Sequence, residues 1–502
     1  MKVSAYTFGT GIGSDALILG LKKDECMRHH RASREINEAL GSQIDQKLAR
    51  FSFDGSLGET VYFELDGSGY IGKIVVVGLG DKDKYDLNAL RKFVSTGVRE
   101  AAGKLKARDI MLVPHTPGGV EKRIALQAAV EAAKLSTYEF LQCKSDPKPK
   151  YNIDELQVVS DSPHPLNVTE QKGIELGEIF ADAQILARDL VNTPADDLTP
   201  ADLADRAKEI ARSAGLNDIE IFGPREIERH NMGGVLAVSK GSDKEPRFIV
   251  IRYRPEGAKE HIALVGKGVT FDAGGLSLKT PEGMMDMKCD MGGAAAVLGT
   301  MSAITKINPK VAVTAIIPAV ENMLGAGAFK LGDVVRSMSG KKFEIHNTDA
   351  EGRVILGDGL HWAVDKEKAD KVFDYATLTG ACMVALGENY TGIMTNNDEL
   401  AAKVIEAGKH TGEKMWQLPL DDELRAKIDG DVADFNNTGN NRYGGAITAA
   451  AFLEKFVADK KWVHHDIAGP AFLSKGNHLG PSGATGVPVR TNLHFLSTHY
   501  SG

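Results

Sequence analysis

Residues 347–354 read Asn-Thr-Asp-Ala-Glu-Gly-Arg-Val, and this octapeptide is the most informative stretch of the 502-residue chain. In an extended or looped backbone, side chains at i and i+2 leave on the same side, so Asp349 and Glu351 are expected to share one site. Such carboxylates suit a divalent cation, and Arg353 beside them suits a small planar anion. Gly352 would let the backbone approach a ligand closely. The alternative is a solvated turn with a surface salt bridge.

A second group of charged residues follows an apolar strand predicted at residues 261–266, which ends in glycine. Lys267 and Asp272 come next in a glycine-rich segment, an arrangement typical of a site loop in an α/β sheet. Lys279 lies seven residues after Asp272, and Asp290 precedes a run of small and apolar residues. These residues form a second candidate site.

Each of these residues also has a simpler explanation when it is considered alone. Lys267 could be a surface lysine, and Asp290 could cap the helix predicted at 294–301. Taken together, the two clusters bring four carboxylates, two lysines and an arginine among small and apolar residues. Burying that much charge without a metal ion would be costly, so the combination favours a metal centre.

Three segments carry a resemblance to a known family. VGKGVTFDAGGLSLK (265–279), MDMKCDMGGAAAVLG (285–299) and NTDAEGRVILGD (347–358) resemble the leucyl aminopeptidases, the cytosol aminopeptidase family of two-metal exopeptidases. Further matching blocks are LARDLVNTPADDLTP (186–200), MGGVLAVSKGS (232–242), YATLTGA (375–381), RYGGAITAAAFL (442–453) and HHDIAGPAF (464–472). The resemblance covers roughly residues 170–495, and the amino-terminal third matches only loosely.

The predicted fold class is α/β with two domains, because a chain of this length is too long for one core. We expect a smaller, variable α/β domain at residues 1–165. A larger catalytic α/β domain at 166–502 is expected to have a mixed central sheet flanked by helices. The polar, proline-containing segment 144–168 marks the boundary. A strand is predicted at 73–78, and helices are predicted at about 87–106 and 170–192.

Composition narrows the function classes. The net charge of −8 disfavours a dominant role at nucleic acids or membrane surfaces, although a local basic patch stays open. Apolar residues at 42% and charged residues at 25% are ordinary for a globular protein. No apolar run is long enough to span a bilayer. The cysteines have no CxxC spacing, so we expect reduced thiols and a cytoplasmic location; they are Cys26, Cys143, Cys289 and Cys382.

The resemblance implies two divalent metal ions per subunit. Asp272 and Glu351 would bridge them, Asp349 would complete the first site, and Lys267 with Asp290 would complete the second. A lysine amine binds metal only when it is neutral, which a neighbouring dication favours. The absence of histidine ligands departs from the usual zinc pattern and indicates that the identity of the metal is less strictly fixed. Zinc or manganese is expected, with cobalt or magnesium as alternatives.

The resemblance also implies the activity, which is release of N-terminal amino acids, leucine and other mainly apolar residues, from peptides. A water activated by the two metals would attack the scissile carbonyl. Lys279 would stabilise the oxyanion, and Arg353 would hold a bicarbonate that serves as general base. The backbone at Leu378 would position bicarbonate and substrate. The free amine of the substrate would bind the second metal, at Asp290.

A pocket for the first side chain of the substrate is implied by four matched residues, Met287, Thr377, Gly380 and Ala468. Met287 could instead fill the core. Ala471 stands where some family members carry methionine, which would widen the pocket and leaves the preference for leucine open.

The resemblance implies a homohexamer built as a dimer of trimers, with peptides that have a free N-terminus as substrates. His464 and His465 are expected to pack or hydrogen-bond rather than to bind metal. Two alternatives come from other classes, a metal-free structural relative and a DNA-binding regulator with a continuous Lys/Arg stripe. The alternative among enzymes is a two-metal phosphoesterase.

Overall fold

The chain folds into two compact units. Unit 1 comprises Met1–Asp182 with Lys475–Ser482, and unit 2 comprises Ala183–Ser474 with Gly483–Gly502. This computed structural model describes residues 1–7, 13–23, 25, 34–35, 37–38, 43–64, 71–160 and 164–501. The predicted organisation into two α/β domains is confirmed. The boundary at residue 165 stays a prediction, since helix Val168–Asn192 runs through the division between the units.

Unit 1 is built on a six-stranded sheet in the order β1-β6-β5-β2-β4-β3. Its strands are β1 (Lys2–Thr7), β2 (Ser14–Lys22), β3 (Thr60–Glu64), β4 (Ile71–Gly80), β5 (Asp109–Leu112) and β6 (Glu155–Ser160). All neighbours are parallel except β3 and β4, which pair antiparallel. The helices that begin in this unit are α1 (Gln43–Leu48), α2 (Leu87–Arg99), α3 (Lys122–Ser136) and α4 (Val168–Asn192).

The apolar runs of β2 and β4 explain why this sheet is buried on both faces. Alternate residues of a strand point to opposite faces, so Ile18 and Val75 join one apolar cluster while Leu19 and Val76 join another. The predicted strand at 73–78 lies within β4. The predicted helix at 87–106 ends as an α-helix at Arg99 and continues as a π-helical turn to Lys104.

The segment 144–168, predicted to mark the domain boundary, contributes a strand to unit 1. Its residues Glu155–Ser160 form β6, which pairs between β1 and β5. This strand forms because it carries the apolar residues Leu156, Val158 and Val159, which are buried in the core of the unit. Among the cysteines, Cys143, Cys289 and Cys382 are free, and Cys26 lies outside the described residues.

Unit 2 contains the longer sheet, which has nine strands. Its central path is β16-β15-β18-β14-β9-β11-β8-β7, and β10 pairs with β11 beside this path. The strands of the unit are β7 (Asp218–Phe222), β8 (Arg247–Tyr253), β9 (His261–Gly266), β10 (Gly268–Asp272), β11 (Ala312–Asn322), β12 (Val334–Arg336), β13 (Lys342–Glu344), β14 (Lys371–Ala376), β15 (Thr391–Thr395), β16 (Met415–Gln417), β17 (Phe435–Asn436), β18 (Lys461–Asp466), β19 (Phe472–Leu473) and β20 (Gly483–Ala484).

Parallel and antiparallel neighbours both occur in this sheet, so the predicted mixed sheet is confirmed. Beyond α4, the helices are α5 (Pro200–Ser213), α6 (Pro224–Arg229), α7 (Gly233–Ser239), α8 (Pro281–Met284), α9 (Gly292–Ile307), α10 (Glu351–Asp365), α11 (Gly380–Leu386), α12 (Asp398–Thr411), α13 (Asp422–Arg425), α14 (Gly445–Glu454) and α15 (Val489–His499). Among the described residues, no helix is both long and apolar enough to cross a membrane.

Sheet topology brings the charged segments of unit 2 together. Strands β9 and β14 are parallel neighbours, and Gly266 pairs with Tyr375, so Lys267 and Thr377 follow adjacent strand ends. Strand β10 continues along β11, which places Asp272 opposite Asn322. The segment at 347 follows a strand of another sheet. That strand is β13, which belongs to a separate three-stranded sheet with β12 and β17.

Candidate active site

Three buried carboxylates form the centre of the site. Asp272, Asp290 and Glu351 each place one oxygen within 4.8 Å of the other two. Asp272 ends β10, Asp290 lies in a short 3-10 helix at Met287–Met291, and Glu351 is the first residue of α10. Strand, turn and helix thus supply one carboxylate each, and the three side chains are almost completely buried.

Lys267 is the cation closest to two of these carboxylates. Its Nζ lies 2.7 Å from Oδ1 of Asp290 and 2.8 Å from Oε1 of Glu351, and it donates to the carbonyl of Thr377 at 3.0 Å. Burial opposes the charge, but the carboxylates of Asp290 and Glu351 raise the pKa of Lys267 above its ordinary value. The alternative of a surface lysine is therefore wrong, because the side chain is only 3% exposed.

Lys279 links Asp349 to the three central carboxylates. Its Nζ lies 2.8 Å from Oδ2 of Asp272 and 2.6 Å from Oδ1 of Asp349. Burial opposes the charge of Lys279, yet Asp272 and Asp349 raise its pKa above the ordinary value. The side chain of Asp349 is 32% exposed, so this carboxylate lies at the open side of the site.

The octapeptide does not have the extended conformation from which the sequence argument started. Asp349 lies in a turn, and helix α10 begins at Glu351, so the expectation that i and i+2 side chains share one side is wrong for Glu351 and Arg353. Residues two apart on a helix do not face each other. Arg353 instead donates through Nη1 to the carbonyl of Asn437 at 2.9 Å.

Two of the glycines serve contacts within the protein. A Cβ atom on Gly352 would lie 2.5 Å from Cε of Lys267, so this glycine makes room for the lysine rather than for a ligand as expected. Gly274 has φ +88°, and a Cβ atom there would lie 2.8 Å from Oδ1 of Asp349.

The alternative in which Asp290 caps the following helix is also wrong, because Met291 is the residue that precedes α9.

Burial dominates the electrostatics of the site. It raises the pKa of Asp272 to about 7 and that of Glu351 to about 7, and it raises the pKa of Asp290. It lowers the pKa of Arg353 to about 10. Oxygen ligands in this environment gain from any cation placed among them, because a cation stabilises the ionised carboxylates.

The donor set fits divalent cations. Four carboxylates face two lysines, which leaves an excess of negative charge. Oδ2 of Asp290 is buried and has no hydrogen-bond partner among the described residues. Carboxylate oxygens are the preferred ligands of hard cations, and Lys267 could add a nitrogen when it is neutral. These residues could therefore hold two metal ions.

Of the residues predicted to contact substrate, Thr377 contacts this cluster directly. Thr377 is buried and donates through Oγ1 to Oδ1 of Asp290 at 2.8 Å. Met287 is half-buried in the same short helix as Asp290. Gly380 is exposed at the start of α11, and Ala468 is half-buried after β18. The sequence analysis did not predict the hydrogen bond between Thr377 and Asp290.

Asp466 is a site residue that the sequence analysis missed. Its Oδ1 accepts from the backbone N–H groups of Leu378 at 3.2 Å and Ala468 at 3.2 Å, and its Oδ2 accepts from Oγ1 of Thr379 at 2.7 Å. It therefore holds both segments predicted to bind bicarbonate and substrate. It ends β18, whose sequence KWVHHD is not an apolar run, so the signal that pointed to Asp272 is missing at Asp466.

Two buried asparagines were also missed. Asn437 donates through Nδ2 to the carbonyl of Asn347 at 2.7 Å and accepts at Oδ1 from the N–H of His346 at 2.8 Å. It therefore fixes the start of the octapeptide. Asn322 donates through Nδ2 to Oδ1 of Asp272 at 2.8 Å. Nothing in the local sequence around either residue marks it as part of the site.

His464 and His465 form hydrogen bonds, as predicted. Nδ1 of His464 lies 2.5 Å from Oδ1 of Asp374, and Nδ1 of His465 lies 3.1 Å from the carbonyl of Asp374. Burial lowers the pKa of His465 to about 3, so this imidazole is neutral. Both rings are part of the packing of β18 against β14.

The fold and the site define an α/β protein with a buried carboxylate centre that fits divalent cations, and comparison with known families gives its family. Residues 185–493 match the catalytic domain of the cytosol aminopeptidase family, and residues 18–147 match the N-terminal domain of that family. The chain belongs to the cytosol aminopeptidase family. Its members are metal-dependent aminopeptidases, enzymes that release residues from peptide N-termini.

Individual relatives agree with this assignment. A probable cytosol aminopeptidase of Persephonella marina is 44% identical over 468 residues, covering 92% of each chain. One of Clostridium perfringens is 40% identical over 461 residues, covering 91% of this chain and 92% of the relative. A tomato leucine aminopeptidase mutant matches with a TM-score of 0.87 at 32% identity, covering 99% of this chain and 96% of that one. The bottromycin maturation enzyme BotP in complex with Mn matches with a TM-score of 0.85 at 34% identity, covering 96% of this chain and 99% of that one.

Proposed function

We propose that this protein is a two-metal aminopeptidase that releases leucine and other mainly apolar residues from peptides with a free N-terminus. The observation that carries the proposal is the buried cluster of Asp272, Asp290 and Glu351, whose ligand atoms lie within 4.8 Å of one another. Leaving this charge with only Lys267 and Lys279 as counterions would cost several kcal/mol per buried ion. Two divalent cations would remove that cost.

Asp272, Asp290, Asp349 and Glu351 would hold the two cations, together with Lys267 when its amine is neutral. When bound, the cations would supply Lewis acidity, which polarises the scissile carbonyl and lowers the pKa of water. The ligands support zinc or manganese, with cobalt or magnesium as alternatives. A structural relative, BotP, is described in complex with Mn, which supports testing manganese first.

Lys279 is proposed to stabilise the oxyanion of the substrate. Its ammonium is paired with Asp272 and Asp349. Cations bound by those carboxylates would neutralise their negative charge, and the ammonium of Lys279 could then donate to the developing negative oxygen of the substrate. A preorganised donor of this kind acts strongly in a site that excludes water.

Arg353 is proposed to hold a bicarbonate that acts as general base. Its side chain is buried, and its Nε has no hydrogen-bond partner among the described residues. A small planar anion would supply the missing acceptor and would add to the negative charges of Glu351 and Asp466 that already act on this guanidinium. The Leu378 N–H donates to Asp466 at 3.2 Å, a long hydrogen bond that such an anion could weaken and replace.

The first side chain of the substrate is proposed to lie among Met287, Thr377, Gly380 and Ala468, while its free amine meets Asp290. The methyl group of Thr377 has small neighbours, since its Cγ2 atom and the Cβ atom of Ala471 would lie 3.4 Å and 3.5 Å from a Cβ atom placed on Gly292. Small side chains at these positions would suit leucine and other apolar first residues of the substrate.

The experiment that tests this function uses a panel of amino-acid anilides. Protein stripped of metal by chelation is reloaded with zinc, manganese, cobalt or magnesium in turn. We expect turnover of leucine anilide only with metal, weaker turnover of glutamate and lysine anilides, and none of N-acetyl-leucine anilide. The acetylated compound is the matched control, because it differs only in lacking the free amine. Turnover of that control, or turnover without metal, would contradict the proposal.

We also propose a cytoplasmic homohexamer built as a dimer of trimers. Light scattering should give six times the subunit mass of 53.9 kDa. A stable, active monomer would contradict the hexamer. Cell fractionation tests the location, since activity found only outside the cytoplasm would contradict it.

A further inference from the structure

Asn322 lies where one strand meets both segments that carry carboxylates of the site. It is the last residue of β11, it pairs with Asp272 across β10 and β11, and it is completely buried. Its Nδ2 donates to Oδ1 of Asp272 at 2.8 Å and to the carbonyl of Thr348 at 3.1 Å. One side-chain amide therefore contacts Asp272 and the residue directly before Asp349.

The orientation of this amide is fixed by its neighbours. A half-turn of the amide would place Oδ1 against the two acceptor oxygens that now receive hydrogen bonds, which is unfavourable. Oδ1 itself is buried and has no partner among the described residues. Asn322 therefore acts through its two N–H groups alone. Its Oδ1 stays without a hydrogen bond to a described residue while both N–H groups are used.

The first consequence concerns Asp272. Its Oδ1 accepts from Asn322 and also from the backbone N–H of Gly274 at 2.9 Å. Its Oδ2 lies 2.8 Å from Nζ of Lys279. Two uncharged donors thus hold one oxygen, and the other oxygen is turned toward Lys279. An amide can orient the carboxylate in this way without adding a positive charge that would compete with a cation.

The second consequence concerns the peptide between Thr348 and Asp349. Its carbonyl oxygen is held by Asn322, and its N–H donates to Oδ1 of Asn347 at 2.9 Å. The side chain of Thr348 adds a further connection, because its Oγ1 donates to the carbonyl of Gly274 at 2.7 Å. The peptide plane that precedes Asp349 is therefore fixed on both sides.

We propose that Asn322 is a positioning residue of the metal site, which sets the relative placement of Asp272 and Asp349. The inference rests on the proposed function, because it assigns to Asn322 a role toward the cations those carboxylates would bind. Partners of metal ligands typically contribute 10–100-fold in metal affinity or activity when they are removed. Like Lys279, Asn322 joins the two segments through a single side chain, but it does so with uncharged donors.

The test compares Asn322→Ala and Asn322→Leu with the wild-type protein. Leucine keeps the branched shape of asparagine, although it is larger, and it has no donor, so together with alanine it separates hydrogen bonding from space filling. Metal-depleted protein is titrated with Co²⁺, which reports affinity and, through its visible absorption, ligand geometry. We expect both variants to bind Co²⁺ about 10–100-fold more weakly at one or both sites, with altered absorption. At saturating metal, kcat for leucine anilide should fall more than KM changes.

Asn492→Ala is the matched control, because Asn492 is also a buried asparagine whose Nδ2 donates to one protein acceptor, Oγ1 of Thr300. This variant should lose some thermal stability and keep the Co²⁺ affinity and absorption of the wild type. If Asn322→Ala does not fold, Asn322→Ser, which keeps one donor, takes its place, and an intermediate Co²⁺ affinity is expected.

Two outcomes would overturn the inference, and they differ in what they imply. Wild-type protein that binds two Co²⁺ ions while the Asn322 variants bind them equally, with the same absorption, would overturn the role of Asn322 alone. Wild-type protein that binds no metal would overturn the proposed site and the positioning role together.

Discussion

Gly352 lies against the side chain of Lys267 so closely that a Cβ atom at position 352 would lie 2.5 Å from Cε and 2.7 Å from Nζ. Since Lys267 is held between Asp290 and Glu351, it has little room to move away. The glycine in the first turn of α10 therefore provides the space for the side chain of Lys267, which lies 85 positions earlier in the chain.

The substitution Gly352→Ala should displace the Lys267 amine and lower turnover by about 10²-fold, the usual scale for a misplacement of about 1 Å in an active site. Leucine anilide turnover and metal content report the effect. Gly283→Ala is the control, because a Cβ atom there would meet nothing nearer than 3.5 Å. Full activity in Gly352→Ala would show that the Lys267 side chain can relax.

Replacing either buried carboxylate should empty the metal site. Asp290→Asn and Glu351→Gln each remove a charged ligand and an ion-pair partner of Lys267. We expect turnover to be abolished and metal content to fall below two ions per subunit, while the fold survives. Asp286→Asn, at a nearby exposed position, is the control. A Glu351→Gln enzyme with full activity and two metals would contradict the assignment.

Lys279→Ala should separate catalysis from metal binding. The lysine is proposed to stabilise the oxyanion, so its loss should lower kcat by about 10²–10³-fold and leave both metals bound. Lys330→Ala, at an exposed lysine, should have no effect. Elemental analysis and steady-state kinetics on the same preparations measure both quantities, and unchanged turnover would remove Lys279 from the mechanism.

Asp358 offers a test that concerns stability rather than catalysis. This buried carboxyl lies in α10 and accepts from the N–H groups of Val235 at 3.0 Å and Met338 at 2.8 Å. Burial raises its pKa to about 7. The unfolded chain releases this proton near pH 4, so the contribution of Asp358 to stability is present below that pH and is lost as pH rises through about 7.

Asp358→Asn cannot titrate, and its amide NH₂ would face a backbone N–H, so the variant should be less stable by about 1–3 kcal/mol at pH 5. The difference in the free energy of unfolding between Asp358→Asn and the wild type should be smaller at pH 8. At that pH the wild type has lost the stabilisation that comes from the protonated Asp358 carboxyl group. Thermal unfolding midpoints of both proteins at the two pH values measure this. A difference that is the same at both pH values would mean that Asp358 is already ionised at pH 5.

Much of the catalytic unit could be predicted from the sequence because apolar runs ending in glycine define strand ends. The run His261–Gly266 is a strand with those bounds, and Lys267 follows it directly. Parallel strands place their carboxyl ends at one edge, which explains why segments more than 100 residues apart converge, as Lys267 and Thr377 do.

Other features could not be predicted because they depend on contacts between distant segments. The start of α10 at Glu351 reverses the side-chain directions that an extended octapeptide would have. Asn322, Asn437 and Asp466 are single polar residues with no local pattern, and each contacts the site through backbone groups that only the fold brings near. The family resemblance carried the ligand assignments, and the packing of Gly352 against Lys267 came from the structure alone.

Arg353 gives the test that separates a bicarbonate base from a structural arginine. Its Nη1 donates to the Asn437 carbonyl, and its buried Nε has no partner among the described residues. If it holds bicarbonate, Arg353→Ala should lower turnover by about 10²–10⁴-fold, the scale of general base catalysis, and keep both metals. Added bicarbonate should restore wild-type enzyme stripped of carbonate and should restore the variant poorly.

Arg353→Lys is the informative companion variant, because it keeps the charge but loses the planar fork that binds a carbonate-like anion in two places. It should fall between the wild type and Arg353→Ala in turnover and should need more bicarbonate for half-maximal rescue. A structural role predicts a different pattern, in which Arg353→Ala loses metal and bicarbonate has no effect on the wild type. Metal content and bicarbonate dependence, measured on the same three preparations, therefore decide between the two roles.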